Sequence, residues 1–468
     1  MSEGINSTLQ KALEINLDPH KYGTIAEIGA GQEIARFFFQ AGGAAGSLAK
    51  TMSAYDMQFS DAIYGEEEDG RYVSRSRLEK MLDKEFTLLG ERIQDAASRN
   101  RCFFAIADTV KAAGYKTQGL CHGWMGIRLQ LYPQAPPSDI ILHVRLLDKN
   151  NRQQQYALGV LGVNLIYGAF FQYRNPCQLL ESLVDNLEPG RIEINTIHFQ
   201  GPYFEDIDNR LMALHLVKAG MTNAVIFSPQ GEVSTPSDTL YKKNCLVLRG
   251  SFRPITNVNM DMARCGRAQF LSEDDTSEEG TIVLAELTMA SLMNEGEIDT
   301  QDFLARVDML GAQGFTVLIS NYLRFFRLRS YLNEFTKRKI GIVLGVPNIQ
   351  DIFNEKYYTD LEGGILEAFG KLFSGNIRLY VYPVLGDDGE LVTLENLRVG
   401  NKVRLLLRHL MENGHIVPLQ GANEDVLRIQ TRDVLKRIRQ GARDWKEAVP
   451  EVVYETIVKE RLFNFDSE

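Results

Sequence analysis

Short apolar runs alternate with amphipathic helical patterns through the middle of this chain. Residues 315–319 form a run of apolar and β-branched side chains, which is typical of a strand that a sheet buries on both faces. Ser320 then offers a helix N-cap, and over residues 322–339 apolar residues recur at spacings of three and four, which places them on one helical face. Residues 340–346 form a second buried strand. A connection of this length between two apolar strands favours parallel pairing with a right-handed crossover.

Eight such strand-like runs occur between residue 138 and about residue 384, and most gaps between them hold a helical pattern. Three of these patterns end just before a glycine, namely Gly220, Gly314 and Gly375. The runs are residues 140–146, 192–199, 224–227, 245–248, 282–287, 315–319, 340–346 and 377–382. Eight strands alternating with helices over about 250 residues match a (β/α)8 barrel. We therefore predict an α/β fold with a central (β/α)8-like barrel. Because residues 234–240 are the sole helix candidate between the third and fourth runs, an open doubly wound parallel sheet is the alternative.

The regions on either side of these runs differ from them in pattern. The N-terminal region combines a Gly- and Ala-rich segment with helical spacing further on, and Pro136 and Pro137 form a stiff boundary after it. The C-terminal region returns to helical spacing. We predict a mixed, mainly helical N-terminal domain over residues 1–135, an α/β barrel-like domain over residues 136–390 and a helical C-terminal region over residues 391–468.

Composition and charge narrow the function classes. The 468 residues are 44% apolar and 24% charged, as in an ordinary globular protein, and the formal net charge is -10. This acidic balance argues against nucleic-acid binding, because phosphates must be neutralised by basic surface. No segment approaches ~18 uninterrupted apolar residues, so we expect no membrane-spanning helix. The N-terminus lacks a basic region followed by an apolar run, so we expect no secretory signal.

The cysteines give no sign of a disulfide framework or a metal site. Cys102, Cys121, Cys177, Cys245 and Cys265 are odd in number and scattered, and no pair has the spacing of a zinc site or a redox dithiol. Reduced thiols of this kind indicate a cytoplasmic location. No His, Asp and Glu cluster has metal-ligand spacing, so we predict no metal site, and no motif identifies a cofactor.

Two short motifs have a structural interpretation beside a functional one. Gly-Ala-Gly at residues 29–31 resembles part of a dinucleotide-binding loop, but such a loop follows a buried strand and contains a third glycine. Residues 22–28 have a poor strand pattern, so we favour small residues that let helices approach closely. Cys121 beside His122 suggests a nucleophile and its base. Adjacent residues rarely face each other, so we favour a turn or a strand end.

The carboxyl ends of the predicted strands are where a barrel or an open parallel sheet binds its ligand. Arg249 and Arg253 follow the fourth run, and Asn321 and Arg324 follow the sixth. Guanidinium groups near a helix N-terminus complement a phosphate or a carboxylate. We therefore predict that these four residues bind a small phosphorylated or nucleotide-like anion.

Two further polar residues lie near the same strand ends. His198 in the second run and Glu286 in the fifth are our candidates for catalytic acid and base. The alternative is structural: Arg249 and Arg324 would form ion pairs with the many carboxylates, and His198 would be a hydrogen-bonded core residue. For each residue singly the structural role is favoured, and for the face as a whole we favour a ligand site.

Several stretches resemble a bacterial protein family along nearly the whole chain. The resemblance is carried by HVRLLDKNNRQQQYALGVLGVNLIYGAFF, RIEINTIHFQGP, FTVLISNY and GVPNIQDIFNEKYYTDLEGGILEAFGKLF. Members of that family carry two different labels, nicotinate-nucleotide adenylyltransferase and TonB-dependent receptor, and the first label implies nucleotidyl transfer. That transferase class uses a His-x-Gly-His loop after its first strand. This chain has no such loop, so the resemblance assigns no catalytic residue.

Two hypotheses about function follow. The first is a cytosolic α/β enzyme-like protein that binds a small anion at its strand C-termini, with the reaction left open. The second is a non-enzymatic, self-assembling or scaffold protein whose terminal helical regions form interfaces. We also expect a homo-oligomer.

Overall fold

A computed structural model describes residues 5–67, 70–93, 100–114, 119–294, 297–386 and 389–465. The chain divides into two compact units, residues 1–222 and residues 223–468. Each unit contains its own sheet.

The first unit is built on a six-stranded mixed sheet. Its strands are β1 (Lys21–Ile28), β2 (Leu48–Ser53), β3 (Cys102–Lys111), β4 (His122–Leu129), β5 (Ser138–Leu146) and β6 (Ile192–Gln200). Its helices are α1 (Thr8–Leu17), α2 (Gln32–Ala41), α3 (Met57–Tyr64), α4 (Arg75–Arg92), α5 (Asn151–Phe171), α6 (Pro176–Ser182) and α7 (Asn209–Lys218). The strand order is β2-β1-β3-β4-β5-β6, in which β1 pairs in parallel with β2 and β3 and the remaining neighbours are antiparallel.

Helices cover both faces of this first sheet. Helix α4 packs its apolar residues on one face, while α1, α2 and α5 form the core on the other. Helix α5 is apolar on nearly all sides and is buried accordingly. Its glycines admit α2 closely, since a Cβ atom on Gly159 would lie 2.5 Å from Cβ of Glu33 and one on Gly162 would lie 2.3 Å from Ile34. This contact holds α2 at the carboxyl end of β1.

The second unit is built on an eight-stranded, mostly parallel sheet. The strands of this unit are β7 (Ala224–Phe227), β8 (Val233–Ser234), β9 (Asn244–Arg249), β10 (Thr281–Thr288), β11 (Met293–Asn294), β12 (Glu297–Ile298), β13 (Thr316–Ser320), β14 (Ile340–Gly345), β15 (Ile377–Tyr382), β16 (Val384–Leu385), β17 (Leu391–Val392) and β18 (Ile416–Pro418). Strands β11 and β12 pair with each other outside the main sheet, as do β16 and β17. The helices are α8 (Pro236–Leu240), α9 (Asn257–Leu271), α10 (Met289–Leu292), α11 (Thr300–Ala312), α12 (Phe325–Phe335), α13 (Val346–Ile352), α14 (Gly364–Leu372), α15 (Arg404–Glu412), α16 (Thr431–Arg439) and α17 (Glu451–Glu460).

The second sheet is doubly wound. Its order is β18-β15-β14-β9-β10-β13-β7-β8. The chain winds outward from β9 to β10 and β13, then returns to place β14 on the other side of β9 and continues to β15 and β18. These six strands are parallel, whereas β7 is antiparallel to β13 and β8 is antiparallel to β7.

All eight predicted runs are strands, but their assembly differs from the predicted barrel. The second sheet is open, with β18 and β8 at its edges, so the open doubly wound alternative describes it and a closed (β/α)8 barrel does not. The first two runs became β5 and β6 of the other sheet, and the third became the antiparallel strand β7. Local apolar patterns located the strands without specifying which strands pair.

The division between residues 222 and 223 differs from the boundaries that we predicted after residues 135 and 390. The boundary predicted between residues 135 and 136 falls between β4 and β5, which are paired antiparallel. Pro136 and Pro137 therefore lie in the connection of two paired strands and not in a linker. The N-terminal region, predicted to be mixed and mainly helical, contains α1 to α4 beside β1 to β4, and the C-terminal region, predicted to be helical, contributes β18 to the second sheet beside its helices.

Candidate functional site

The loop between β1 and α2 passes directly over the neighbouring strand β3. Gly29 has a φ of +109°, and a Cβ atom there would lie 2.1 Å from the carbonyl oxygen of Val110. A Cβ atom on Gly31 would lie 1.8 Å from Oδ2 of Asp108. Glycine is required by the backbone conformation at the first position and by the close approach at both. Our expectation of a poor strand before this loop was wrong, since Lys21–Ile28 is the buried strand β1.

Glu27 and Asp108 lie side by side beneath this loop. They are register partners on the parallel strands β1 and β3, so their side chains point to the same face of the sheet. Glu27 is 3% exposed and Asp108 is 0% exposed. The same face carries Ile25 and Ile106 of the core under α2 and α5. Two carboxyl groups are thus held together in an otherwise apolar layer.

Glu27 receives several hydrogen bonds. Ser53 Oγ donates to Oε1, the Gly31 backbone N–H donates to Oε2 at 3.2 Å, and the Gln32 side chain also donates. Burial opposes these contacts and prevails, raising the pKa of Glu27 from 4.5 to about 7. Near neutral pH, Glu27 can therefore either accept or donate a proton.

Asp108 lies deeper in the unit than Glu27 and differs from it in its hydrogen bonds. Neither carboxyl oxygen of Asp108 has a hydrogen-bond partner among the residues that the structure describes. Burial, and secondarily the negative charge of Glu27, raise the pKa of Asp108 well above 3.8. An ionised Asp108 would be an uncompensated buried charge, which is costly.

A cavity of about 540 Å³ opens beside Glu27, between α2 and the ends of β1 and β2. Its polar lining includes Glu27, Gln32, Arg36, Thr51 and Ser53. Phe39 and Met52 contribute apolar surface to the same cavity. A titratable carboxyl group therefore faces an open space of the size that takes a small molecule.

The structure places His198, predicted as a catalytic acid or base, in the first unit and the other five predicted site residues in the second. His198 lies on β6, where burial and the positive charge of Arg75 lower its pKa to about 4. A histidine with this pKa is neutral at pH 7. It is not on the same sheet as Glu286, its predicted partner in catalysis.

Arg249 and Glu286 form a closed ion pair. Arg249 Nη2 donates to Glu286 Oε1 at 2.8 Å, and Nε donates to Oε2. The guanidinium also donates to the carbonyl oxygens of Tyr322 and Leu323, at 2.8 Å and 2.9 Å. Ser320 Oγ donates to Glu286 at 2.6 Å, and Glu286 is 0% exposed. Arg249, which we predicted to bind an anion, and Glu286, which we predicted to act as a base, are thus hydrogen-bonded to each other.

The remaining predicted anion-binding residues also have partners within the second unit. Arg253 Nε lies 3.2 Å from Asp302 Oδ1, and Arg324 Nη2 lies 2.7 Å from Asp360 Oδ1. The backbone N–H of Asn321 donates to the carbonyl oxygen of Asn223 at 2.8 Å. All three predicted arginines are therefore paired with carboxylates, which is the structural alternative.

His122 lies at the start of β4 and joins a chain of hydrogen bonds. Its Nδ1 lies 3.1 Å from Nε2 of His143, whose Nδ1 lies 3.1 Å from Oδ1 of Asn195. Burial lowers the pKa of His143 to about 3, so its ring is neutral. The Cys121 thiol contacts the carbonyl oxygen of Gly119 at 3.8 Å. This arrangement agrees with the strand end that we favoured.

The described residues contain no group of three or more His, Cys, Asp or Glu side chains that could hold a metal ion. In the same part of the chain, every helix is too short or too polar to cross a membrane.

Comparisons with known proteins find similarity only among solved structures. Neither the family models nor the curated proteins match this chain. The competence/damage inducible protein CihA from Agrobacterium tumefaciens is 17% identical at a TM-score of 0.25, with 36% of this chain and 97% of that chain covered. A CinA superfamily protein from Enterobacter cloacae is 12% identical at a TM-score of 0.27, with 36% and 95% covered. A competence or damage-inducible protein from Enterobacter asburiae is 12% identical at a TM-score of 0.27, with 35% and 99% covered. Similarity at this level assigns no function to this chain.

The sequence did contain a signal for the Glu27–Asp108 pair. Each residue is the single carboxylate of its strand, β1 or β3. Residues 103–110 have a strand-like apolar pattern, and Asp108 interrupts it. In β1, Gly23 and Glu27 interrupt the apolar run, and these interruptions made the strand hard to recognise.

Proposed function

We propose that the cavity of the first unit binds a small organic anion, phosphorylated or nucleotide-like, and that Glu27 transfers a proton to or from it. The observation that carries this proposal is a buried carboxyl group on the cavity wall with a pKa of about 7. A general acid or base is most effective when its pKa lies near the working pH. Contacts from Ser53 and Gly31 hold the carboxylate in place, as a catalytic group requires.

Arg36 supports the choice of an anion. Its side chain lines the cavity one helical turn beyond Gln32, on the same face of α2. It is 61% exposed and pairs with Glu33 at 3.0 Å. An exposed pair of this kind is worth only about 0–1 kcal/mol, so an anionic ligand can replace Glu33 at little cost. Phe39 and Met52 offer apolar surface to the rest of the ligand.

The anion site predicted at Arg249, Arg253, Asn321 and Arg324 stays a prediction. A ligand there would have to displace Glu286 from Arg249, and Glu286 is fully buried. Separating a buried pair leaves an uncompensated charge, which costs about 3–5 kcal/mol. The contrast between this pair and the exposed Arg36–Glu33 pair is why we favour the first unit. Nucleotidyl transfer also stays a prediction, since it is implied by the resemblance alone.

Calorimetric titration of the full chain with AMP, inorganic phosphate and lactate tests the proposal. We expect Arg36→Gln to weaken binding of an anion roughly tenfold, the effect of losing one charge-assisted hydrogen bond. Arg408→Gln is the matched control, because Arg408 is also exposed and pairs with Glu412 along one helix. Equal affinities in the wild type and both variants would show that Arg36 does not bind the anion.

The pH dependence of binding tests the role of Glu27. An ionised Glu27 repels an anion, so lactate affinity should fall as pH rises through about 7. Lactate keeps its charge in this range, so the change comes from the protein. Glu27→Gln should bind with the same affinity at pH 6 and pH 8. A wild type with no pH dependence would show that Glu27 does not face the ligand.

Self-assembly is our second proposal for this protein. Tyr55, Met57 and Phe59 expose 68%, 56% and 58% of their surface, close together at the start of α3. Exposed apolar patches often mark contacts with other chains. Light scattering at micromolar concentration should then give a mass above that of one chain. A strict monomer would contradict this proposal and the expected homo-oligomer.

A further inference from the structure

Asp108 occupies a position that the proposed chemistry does not directly use. It lies behind the cavity wall, beneath Gly31, and is not among the residues that line the cavity. It is nevertheless the register partner of Glu27 and points to the same face of the sheet. A fully buried carboxyl group with two oxygens lacking partners is rare in native proteins and calls for an explanation.

Among the described residues, the elements around the two carboxyl groups supply no compensating charge. Helix α2 presents Gly31, Gln32 and the Glu33–Arg36 pair, and β2 presents Ser53. On the far side, β4 places Met125 opposite Asp108. In the described part of the chain, the only charge that perturbs Asp108 is that of Glu27, and no cation perturbs either group.

Two adjacent buried carboxylates without a cation cannot both be ionised at acceptable cost. One of them must hold a proton. Glu27 has donors from Ser53, Gly31 and Gln32 that stabilise its charged form, whereas Asp108 has none in the described residues. The proton therefore belongs on Asp108.

We infer that Asp108 remains protonated while Glu27 titrates, and that its hydroxyl group donates a hydrogen bond to the Glu27 carboxylate. Asp108 is then a positioning residue, since it acts on Glu27 from the protein side and does not touch the ligand. A neutral carboxylic acid can donate one hydrogen bond, and Glu27 is the acceptor beside it. The functional meaning of this contact rests on the proposed role of Glu27, but the contact itself can be measured without any ligand.

The test follows the Glu27 titration in the full chain by NMR of 13C-labelled carboxyl groups. Asp108→Asn keeps a donor of similar size, so we expect the Glu27 midpoint to stay within about half a pH unit of the wild type. Asp108→Val keeps the shape but loses the donor, so the midpoint should rise by roughly one pH unit. Infrared spectra of the wild type at pH 9, where Glu27 is ionised, should still show the band of a protonated carboxylic acid, and Asp108→Asn should remove this band.

Each result bears on the inference. If Asp108 were ionised, Asp108→Asn would remove a neighbouring negative charge and lower the Glu27 midpoint, which would overturn it. A midpoint unchanged in Asp108→Val would show that no hydrogen bond joins the two groups, and would overturn it as well. Should Asp108→Val not fold, the Asp108→Asn midpoint and the infrared spectrum decide the question. A chain that binds none of the anions could still pass this test, so failure of the proposed function is distinguishable.

Discussion

Glu27 and Asp108 lie side by side, but their surroundings stabilise a negative charge on Glu27 better than on Asp108. Glu27 borders the cavity and receives hydrogen bonds from Ser53 and Gly31, while Asp108 is enclosed and lacks a described partner. Differences of this kind separate the pKa values of neighbouring carboxyl groups and so divide acid and base roles between them. The effects of these two residues can be measured as changes in the free energy of unfolding.

Glu27→Gln should stabilise the first unit at high pH. The pKa of Glu27 is raised on folding, so the folded state binds more protons than the unfolded state between pH 4.5 and about 7, and stability falls as pH rises through this range. Glutamine removes this loss. We expect a gain of about 2 kcal/mol at pH 8 that shrinks toward zero near pH 4.5, less than the full pKa shift implies because Glu27 borders the open cavity. Urea unfolding at both pH values measures it, with the exposed Glu188→Gln as control. A gain that does not depend on pH would contradict the assigned pKa.

Gly31→Ala should destabilise the first unit. The new methyl group would lie 1.8 Å from Asp108 Oδ2, and Asp108 is buried with little room to move. Overpacking of this kind costs about 1–3 kcal/mol. Gly90→Ala is the matched control, because a Cβ atom there meets nothing within 4 Å and the residue lies inside α4. The control should gain up to about 1 kcal/mol from helix propensity. Equal unfolding midpoints for the two variants would mean that the loop does not press on β3.

Arg249 connects neighbouring secondary-structure elements at the carboxyl edge of the second sheet. It extends from the end of β9 to Glu286 of β10 and to the carbonyl oxygens of Tyr322 and Leu323 after β13. One side chain thereby fixes three consecutive strand ends. The same contacts explain why an arginine at a strand end need not indicate a ligand.

Arg249→Met should therefore cost far more stability than Arg324→Gln. The first change leaves Glu286 buried without its cation, at about 3–5 kcal/mol. The second breaks a pair in which Arg324 and Asp360 are 27% and 51% exposed, at about 0–1 kcal/mol. Urea unfolding of both variants measures the difference. If both substitutions lower the free energy of unfolding by the same small amount, Arg249 does not stabilise these strand ends. A role for Arg249 in ligand binding would then regain support.

The sequence allowed the strands to be located but not their assembly. Residues 140–146 and 192–199 have the same apolar pattern as the strands of the second unit, yet they became β5 and β6 of the first sheet. Pairing depends on contacts between residues far apart in the chain, which a local pattern does not contain. The site was missed for a related reason, because Glu27 breaks the apolar run that would have identified β1.

In the whole molecule, each of the two units has its own sheet and its own tryptophan, whose fluorescence can report unfolding. Every strand of the first sheet precedes residue 222, and every strand of the second follows residue 223, in the part of the chain that the structure describes. The two tryptophans of the chain fall one in each unit: Trp124 on β4 is 6% exposed, and Trp445 is 0% exposed. Both should change fluorescence when their surroundings unfold.

We expect the two units to unfold as separate cooperative transitions, since domains generally fold as units with their own cores. In a Trp445→Phe background, Trp124 reports the first unit, and in a Trp124→Phe background, Trp445 reports the second. Gly31→Ala should then lower the urea midpoint of the Trp124 signal only, and Arg249→Met that of the Trp445 signal only. Each variant serves as the control for the other. If either substitution moves both signals equally, the chain unfolds as a single unit, and stability changes caused by Glu27 could no longer be assigned to the first sheet alone.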